Sequence, residues 1–397
     1  MKKNIVFVIP SLTAGGAEKS LVNLLNTIDY TLFNVDLVLL HKKGIFLSMV
    51  PSEVTIVKLN LNYNLFSKEL ITSSLAFLKF GKFNLIYNRI LFFAKNKFTK
   101  NKAVAEQNSW KNIQKSIDKL PKKYDVAIGF LEKSSIYFAV DKIDAKVKMG
   151  WIHTTYSSSG MNAKFDTNYF EKCNAVIAVS PDCEADLQSN FPNLKNKFKT
   201  IYNIVSASVI HNLSNQNCDD VLFSNAQNSI VTVARLSSEK GIDLAVETSK
   251  ILIKKYINFK WFVIGDGQDR ENLEKKIKEY QLQNHFFLIG LKQNPYPYLK
   301  LCTLYVQPSQ YEGKSMAIEE AKILCKPIVV TNFTTAKDQI NHNENGIIAA
   351  MNAESLSNEI MNVLQNSNLQ EKLRLNLSKE QLGTEQEINK LYEIINE

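Results

Sequence analysis

Two α/β domains, each a parallel sheet wound on both faces by helices, are what this sequence predicts, and three observations carry the prediction. The chain has 397 residues, more than one core normally supports, so two domains of about 200 residues are expected. Its first half alternates apolar runs at 4–9, 34–40, 54–59, 124–130, 146–152 and 174–179 with segments of helical spacing. The second half repeats the pattern, with strands expected near 229–234, 259–264, 285–289, 303–306, 327–331 and 346–349. Strands that alternate with helices favour a parallel, doubly wound sheet.

Composition fits that class. Hydrophobic residues make up 45% and charged residues 22% of the chain, ordinary values for a soluble globular protein. Cys173, Cys183, Cys218, Cys302 and Cys325 form no CxxC pair and no metal-like cluster with the five histidines, which points to reduced thiols in a cytoplasmic setting. The opening MKKNIVFVIPSL puts two lysines before an apolar run that is too short for a signal peptide and reads as a first strand. No run approaches the ~18 apolar residues of a membrane-spanning helix, so any membrane contact is expected to be peripheral.

In chain order, the first domain is expected over 1–203. After its first strand, PSLTAGGAEKSLVNLL sets Gly15 and Gly16 before a helix carrying Leu21, Leu24, Leu25 and Ile28. Glycines there let a ligand approach the backbone, and they serve an ordinary tight turn equally well. Residues 58–123 hold 14 Lys and Arg against 3 Asp and Glu, a surplus of +11 where the whole chain carries +9. Three readings are open for this aromatic, basic segment: a solvated helical face, a nucleic-acid arm, or a surface lying on anionic lipid. No recognised nucleic-acid motif accompanies it. WIHTTY (151–156) places His153 at the carboxyl edge of a strand, where a doubly wound sheet binds ligands. In AVIAVSPDCEADL, Ser180 suits a helix N-cap and Pro181 the first helical position.

The polar stretch 204–228, with SNQN, CDD and SNAQNS, reads as a linker. The second domain is expected over 229–377, followed by a C-terminal helix over 378–397 with an amphipathic stripe of Ile388, Leu391, Tyr392 and Ile395. Within that domain, VARLSSEKGIDLAVE puts Arg235 and Lys240 after a strand and before a helix, a natural pair of cations for a diphosphate. FVIGDGQDRENL carries Gly265 and Gly267 after a strand, but Arg270 stands where a dinucleotide fingerprint needs a third small residue, so NAD is discounted. The stretch 299–334 reads strand, loop, helix, strand. Glu312 lies before the helix and Glu320 inside it, with seven residues between them. Side chains so placed can face one ligand, and the amides of Gly313, Lys314, Ser315 and Met316 lie at the positive end of the helix dipole. A phosphate flanked by hydroxyl-bearing rings fits this pattern; two glutamates that merely complement a dipole fit it too.

Together these residues resemble the retaining GT-B glycosyltransferases of the group 1 type, which include many bacterial capsule, lipopolysaccharide and teichoic-acid assembly enzymes. The similarity runs through the glycine turn Gly15-Gly16, His153, Arg235 with Lys240, Gly265 with Gly267, and Glu312 with Glu320 followed by EEAKILCKPIVVT. The resemblance implies two Rossmann-like domains facing across a cleft, with the terminal helix crossing back to the first. It implies transfer of a sugar from a nucleotide-sugar, most readily a UDP-sugar, with retention and without a metal or other cofactor. Glu312 would contact the sugar, Glu320 the ribose, and Arg235 and Lys240 the diphosphate. Leu291, after Gly290, would meet the base and His153 the sugar. The acceptor would be a glycan or a polyprenyl-diphosphate-linked chain, met by a cytoplasmic enzyme peripheral to the inner face of the membrane. One departure is EGKSM, where many relatives carry glycine or proline at the place of Ser315; it bears on which sugar is used. Alternatives are an epimerase or phosphorylase of the same fold, or a non-catalytic basic scaffold for lipid or RNA, which would leave Arg235, Lys240, Glu312 and Glu320 unexplained.

Overall fold

The computed structural model describes residues 2–13, 15–218, 223, 228–255 and 257–396. It divides the chain into two compact units, Met1–Ile204 with Gln386–Glu397, and Val205–Glu385.

The first unit carries a seven-stranded sheet in the order β3-β2-β1-β4-β5-β6-β7. Its strands are β1 (Lys3–Ile9), β2 (Phe33–Leu39), β3 (Thr55–Val57), β4 (Tyr124–Gly129), β5 (Ala145–Ile152), β6 (Ala175–Ala178) and β7 (Phe198–Thr200). Every pairing is parallel; β1, for example, runs in register with β2 from Lys3↔Phe33 to Ile9↔Leu39. Both faces are buried, which is why the strands read as continuous apolar runs. Ile5, Phe7 and Ile9 point into one core and Val6 and Val8 into the other. The helix Gly16–Thr27 covers one face. The sequence did not suggest β7, a three-residue edge strand too short to show a pattern.

The last helix, Glu387–Asn396, belongs to this unit although it ends the chain. Ile388, Leu391, Ile394 and Ile395 enter the core with Phe33 and Leu25. The Asp29 N–H donates to the Tyr392 hydroxyl at 2.8 Å, and Tyr202 N–H donates to Glu387 Oε2 at 3.0 Å. The terminal helix was expected from 378; instead a helix over Ser367–Lys379 in the second unit ends first, and Gly383 at φ 104° turns the chain toward the final one.

Between β3 and β4 the basic segment folds as four helices, Leu61–Phe66, Leu70–Lys79, Phe83–Phe98 and Lys102–Ile113. They enclose a small core of Phe66, Phe77 and Leu85. Arg89 is buried there, its guanidinium 5.6 Å from the Phe66 ring centroid and 5.5 Å from that of Phe92, and it donates to the Lys68 carbonyl at 2.8 Å.

The second unit carries a six-stranded parallel sheet in the order β10-β9-β8-β11-β12-β13. The strands are β8 (Ser229–Val233), β9 (Lys260–Ile264), β10 (Phe286–Leu288), β11 (Leu304–Gln307), β12 (Ile328–Thr331) and β13 (Ile347–Ala349). In β12, Val329 faces one core and Ile328 and Val330 the other. The stretch 204–228, expected to be a linker, is partly structured. A helix over Ala207–Ser214, capped when the Ser206 hydroxyl accepts from Val209 N–H, buries Ile210 in the second core. Only eight residues long and flanked by polar stretches, it shows too little periodicity to stand out. Residues 219–222 and 224–227 of that stretch lie outside the described residues. No helix among the described residues is long and apolar enough to cross a membrane.

Candidate active site

Both sheets reverse direction next to their first strand: β1 lies beside both β2 and β4, and β8 beside both β9 and β11. At such a point the chains leaving two neighbouring strands diverge, opening a crevice above their carboxyl ends.

In the second unit the loops leaving β8 and β11 meet there. Gly241 has φ 63°, and a Cβ on it would stand 2.0 Å from the Pro308 carbonyl oxygen. The Gln310 N–H donates to the Glu239 carbonyl at 2.9 Å. Glycine is therefore required on two grounds, left-handed backbone and close approach. The contact brings Lys240 Nζ to Glu312 Oε2 at 2.7 Å, with both side chains mostly buried. The other oxygen, Oε1, accepts from Gln307 Nε2 at 2.9 Å and from Ser309 Oγ at 2.7 Å. Thr335 Oγ1 donates to the carbonyls of Glu312 and Gly313, each at 2.9 Å. Glu312 is thus fixed in orientation before any ligand arrives. Gly313 beside it faces open space, with no atom within 4 Å of an added Cβ.

Other expected residues are arranged differently. Arg235 is exposed and reaches Glu239 only at 3.5 Å, a surface pair of little energetic weight. Hydrogen bonding from Ser237, then the nearby cations, holds the Glu239 carboxyl below its usual range. Lys314 is exposed, and Met316 opens the helix Met316–Ile323. The Ser315 amide does not face outward: its N–H donates to Gln339 Oε1 at 2.8 Å while Gln339 Nε2 donates back to the Ser315 carbonyl. Glu320 is buried where Glu312 keeps a small exposed edge. It lies on the inward stripe of its helix between Ile318 and Ala321, is 0% exposed, and accepts from the Tyr296 hydroxyl at 3.3 Å. Gly265 and Gly267 let their turn press against the loop after β8. Added Cβ atoms would stand 1.8 Å from the Ala234 carbonyl oxygen and 2.2 Å from that of Leu236, so packing accounts for both. Arg270 ties that turn down through Asp266 at 2.8 Å. Leu291 is 46% exposed after Gly290, whose carbonyl accepts from Gly265 N–H.

In the first unit, the space beside Gly15 is taken by Glu18, whose Oε2 lies 2.0 Å from where a Cβ would be. Gly16 is exposed at the helix start. His153 follows β5, and its backbone N–H donates to Glu132 Oε2 at 3.2 Å. Both ring nitrogens of His153 are buried, and among the described residues neither has a partner at good hydrogen-bond geometry. Burial pushes its pKa down to about 3, weakly opposed by the Phe130 backbone and the Asn203 side chain. Burial also raises the Glu132 carboxyl above its usual range. Glu132 was not singled out from sequence; an acidic residue just after an apolar strand was its only signal. Among the described residues no group of three His, Cys, Asp or Glu is placed to hold a metal ion.

Residues 216–380 match the family described as "Glycosyl transferases group 1". A poly(ribitol-phosphate) alpha-N-acetylglucosaminyltransferase of Staphylococcus aureus is 27% identical over 219 residues, covering 54% of this chain and 42% of the relative. The chain spans about two fifths of the length of the first curated relatives it matches. Among solved structures, a variant of S. aureus TarM, in complex with fondaparinux, alpha-GlcNAc-glycerol and UDP, superposes over 100% of both chains with TM-score 0.68 at 16% identity. Anabaena HepE in complex with UDP-glucose does so over 99% of both with TM-score 0.67 at 15% identity. Two parallel-sheet units with this topology and neighbours of the same fold along the whole chain show the GT-B fold, and within it residues 216–380 carry a match to the group 1 glycosyltransferases.

Proposed function

We propose that the protein transfers a sugar from a nucleotide-sugar, a UDP-sugar in the first instance, to a glycan or polyprenyl-diphosphate-linked acceptor, with retention of anomeric configuration and without a metal. The observation that carries this reading is the buried Lys240–Glu312 pair at the mouth of β11, held by Gln307 and Ser309 beside the open backbone of Gly313. A carboxylate in that setting accepts hydrogen bonds from sugar hydroxyls. The ammonium next to it, with the loosely held Arg235, offsets charge that develops on a departing diphosphate, the work a divalent cation does elsewhere. In this reading the acceptor hydroxyl attacks the anomeric carbon from the face the diphosphate leaves, and the leaving oxygen takes its proton. UDP and UDP-glucose in the TarM and HepE structures support the choice of donor. The names of relatives that act on poly(ribitol-phosphate) and poly(glycerol-phosphate) or in amylovoran biosynthesis support a surface-polymer acceptor. We place the protein in the cytoplasm, at the inner face of the membrane where such acceptors are carried.

The test is a donor panel of UDP-, GDP- and ADP-sugars scored by thermal shift, followed by donor turnover in wild type and Lys240→Ala. Native-state binding raises apparent stability by mass action. Loss of the cation is expected to reduce kcat by roughly 10²–10³-fold while the melting curve without ligand stays cooperative. Wild-type turnover in Lys240→Ala, or no shift with any nucleotide-sugar, overturns the reading.

A further inference from the structure

Most of the large apolar side chains that stand exposed among the described residues fall within 61–98. Two helices organise them. On Leu70–Lys79, Ile71, Leu75 and Leu78 recur at helical spacing and are 74%, 55% and 53% exposed, on the side opposite Ser73 and Phe77, which are buried. On Phe83–Phe98, Phe83 and Tyr87 are 67% and 62% exposed, opposite Leu85 and Arg89. Phe80, 58% exposed in the link between the helices, brings the two stripes together at the turn. Each helix therefore has two apolar faces. One packs on the Phe66, Phe77, Leu85 core; the other faces water. Exposed apolar surface of this extent marks a contact site.

Charge selects the occupant. Residues 70–98 contain five Lys or Arg and no Asp or Glu. A second copy laid on this face would bring like charges together without one acidic partner, and a nucleic acid would gain nothing from exposed leucine and isoleucine. Aliphatic and aromatic tips flanked by Lys79, Lys82 and Lys97 match a bilayer whose surface is anionic and whose interior begins a few ångströms below.

We propose that the helical pair 70–98 is a membrane-inserting wedge, its Ile71, Leu75, Leu78, Phe80, Phe83 and Tyr87 side chains entering the interfacial region of an anionic bilayer. The inference deepens the reading of a lipid-linked acceptor and rests on it for its purpose, since a wedge there would keep the enzyme at the surface that carries such acceptors.

The molecule supplies a clean reporter. Its three tryptophans, Trp110, Trp151 and Trp261, are all buried, so in a Phe83→Trp variant the added indole alone can meet lipid. Full-length Phe83→Trp is titrated with vesicles of brominated phosphatidylcholine and phosphatidylglycerol, and with brominated phosphatidylcholine alone. The expected result is a blue shift and quenching on the anionic vesicles only, with part of the quenching surviving salt that screens surface charge. An Ile71→Ser, Phe80→Ser, Phe83→Ser variant, checked for an unchanged melting curve, is expected to partition roughly 100–1000-fold more weakly, each lost side chain costing roughly five- to tenfold. Sedimentation with vesicles without quenching overturns insertion, as does equal quenching on neutral vesicles. A concentration-dependent dimer abolished by the serine variant assigns the face to a second copy instead, and retention on RNA to nucleic acid. UDP binding by calorimetry separates the two readings: insertion with no UDP binding leaves the wedge standing and removes the donor assignment, and the converse removes only the wedge.

Discussion

His153 shows what a single side chain reveals when its surroundings are known. Its ring is fully buried, so the neutral imidazole is the stable form and its pKa falls to about 3 from the usual 6.5. The unfolded chain therefore binds a proton that the folded chain refuses between those two values. Stability contributed by the neutral form is complete above pH 6.5 and is lost as pH falls toward about 3. The expected slope is about 1.4 kcal/mol per pH unit, read as the change in urea stability of the first unit between pH 7 and pH 5, and absent in His153→Leu. An imidazole that titrates near 6.5 by NMR would refute it. Sequence placed His153 at a strand edge but gave no sign that its ring would be buried, because that depends on side chains distant in the chain. The same limit applies in the second unit. Lys240 and Glu312 were legible as charged residues bordering helices, whereas Gln307, Ser309 and Gln339 were not, since a polar residue ending a strand or a short helix looks like the start of any loop. Those three fix Glu312 and the Ser315 backbone, and Glu320, legible by spacing, proved to be turned inward.

Two elements escaped the sequence reading: β7, an edge strand of three residues, and the Ala207–Ser214 helix, eight residues with one fully buried aliphatic. Turns were harder. The glycines after β8 and β9 are places where one backbone presses on another. Gly241 is the most demanding, with φ 63° and a would-be Cβ 2.0 Å from the Pro308 carbonyl oxygen. Gly241→Ala must therefore force apart the loops that bring Lys240 to Glu312. A loss of roughly 2 kcal/mol is expected from the backbone conformation and the displaced loop together, or about 4–8 °C in melting temperature for a unit of this size. Donor turnover should fall further than stability alone explains, because the ion pair is opened as well. An alanine variant with unchanged melting and turnover would show that the loops are not locked by this contact.

At the scale of the whole chain, sequence order and structural membership part company. The helix Glu387–Asn396 is the last element of the chain, yet its apolar stripe completes the core beneath β1 and β2. An amphipathic stripe was visible in the sequence, but nothing in a stripe names its partner; that is fixed by where the preceding turn at Gly383 aims the chain. Leu391 is fully buried among Phe33, Leu25 and Ile28, so truncating it leaves a cavity in the first unit, a change that costs about 2–5 kcal/mol for a buried leucine. Hydrogen exchange on full-length Leu391→Ala is therefore expected to speed up in β1, β2 and the helix Gly16–Thr27, hundreds of residues away in sequence. Amides of β8, β11 and β12 should keep wild-type protection, although they are much nearer in the chain. If protection were lost instead in the second unit, or equally in both, the final helix would not be a structural part of the first.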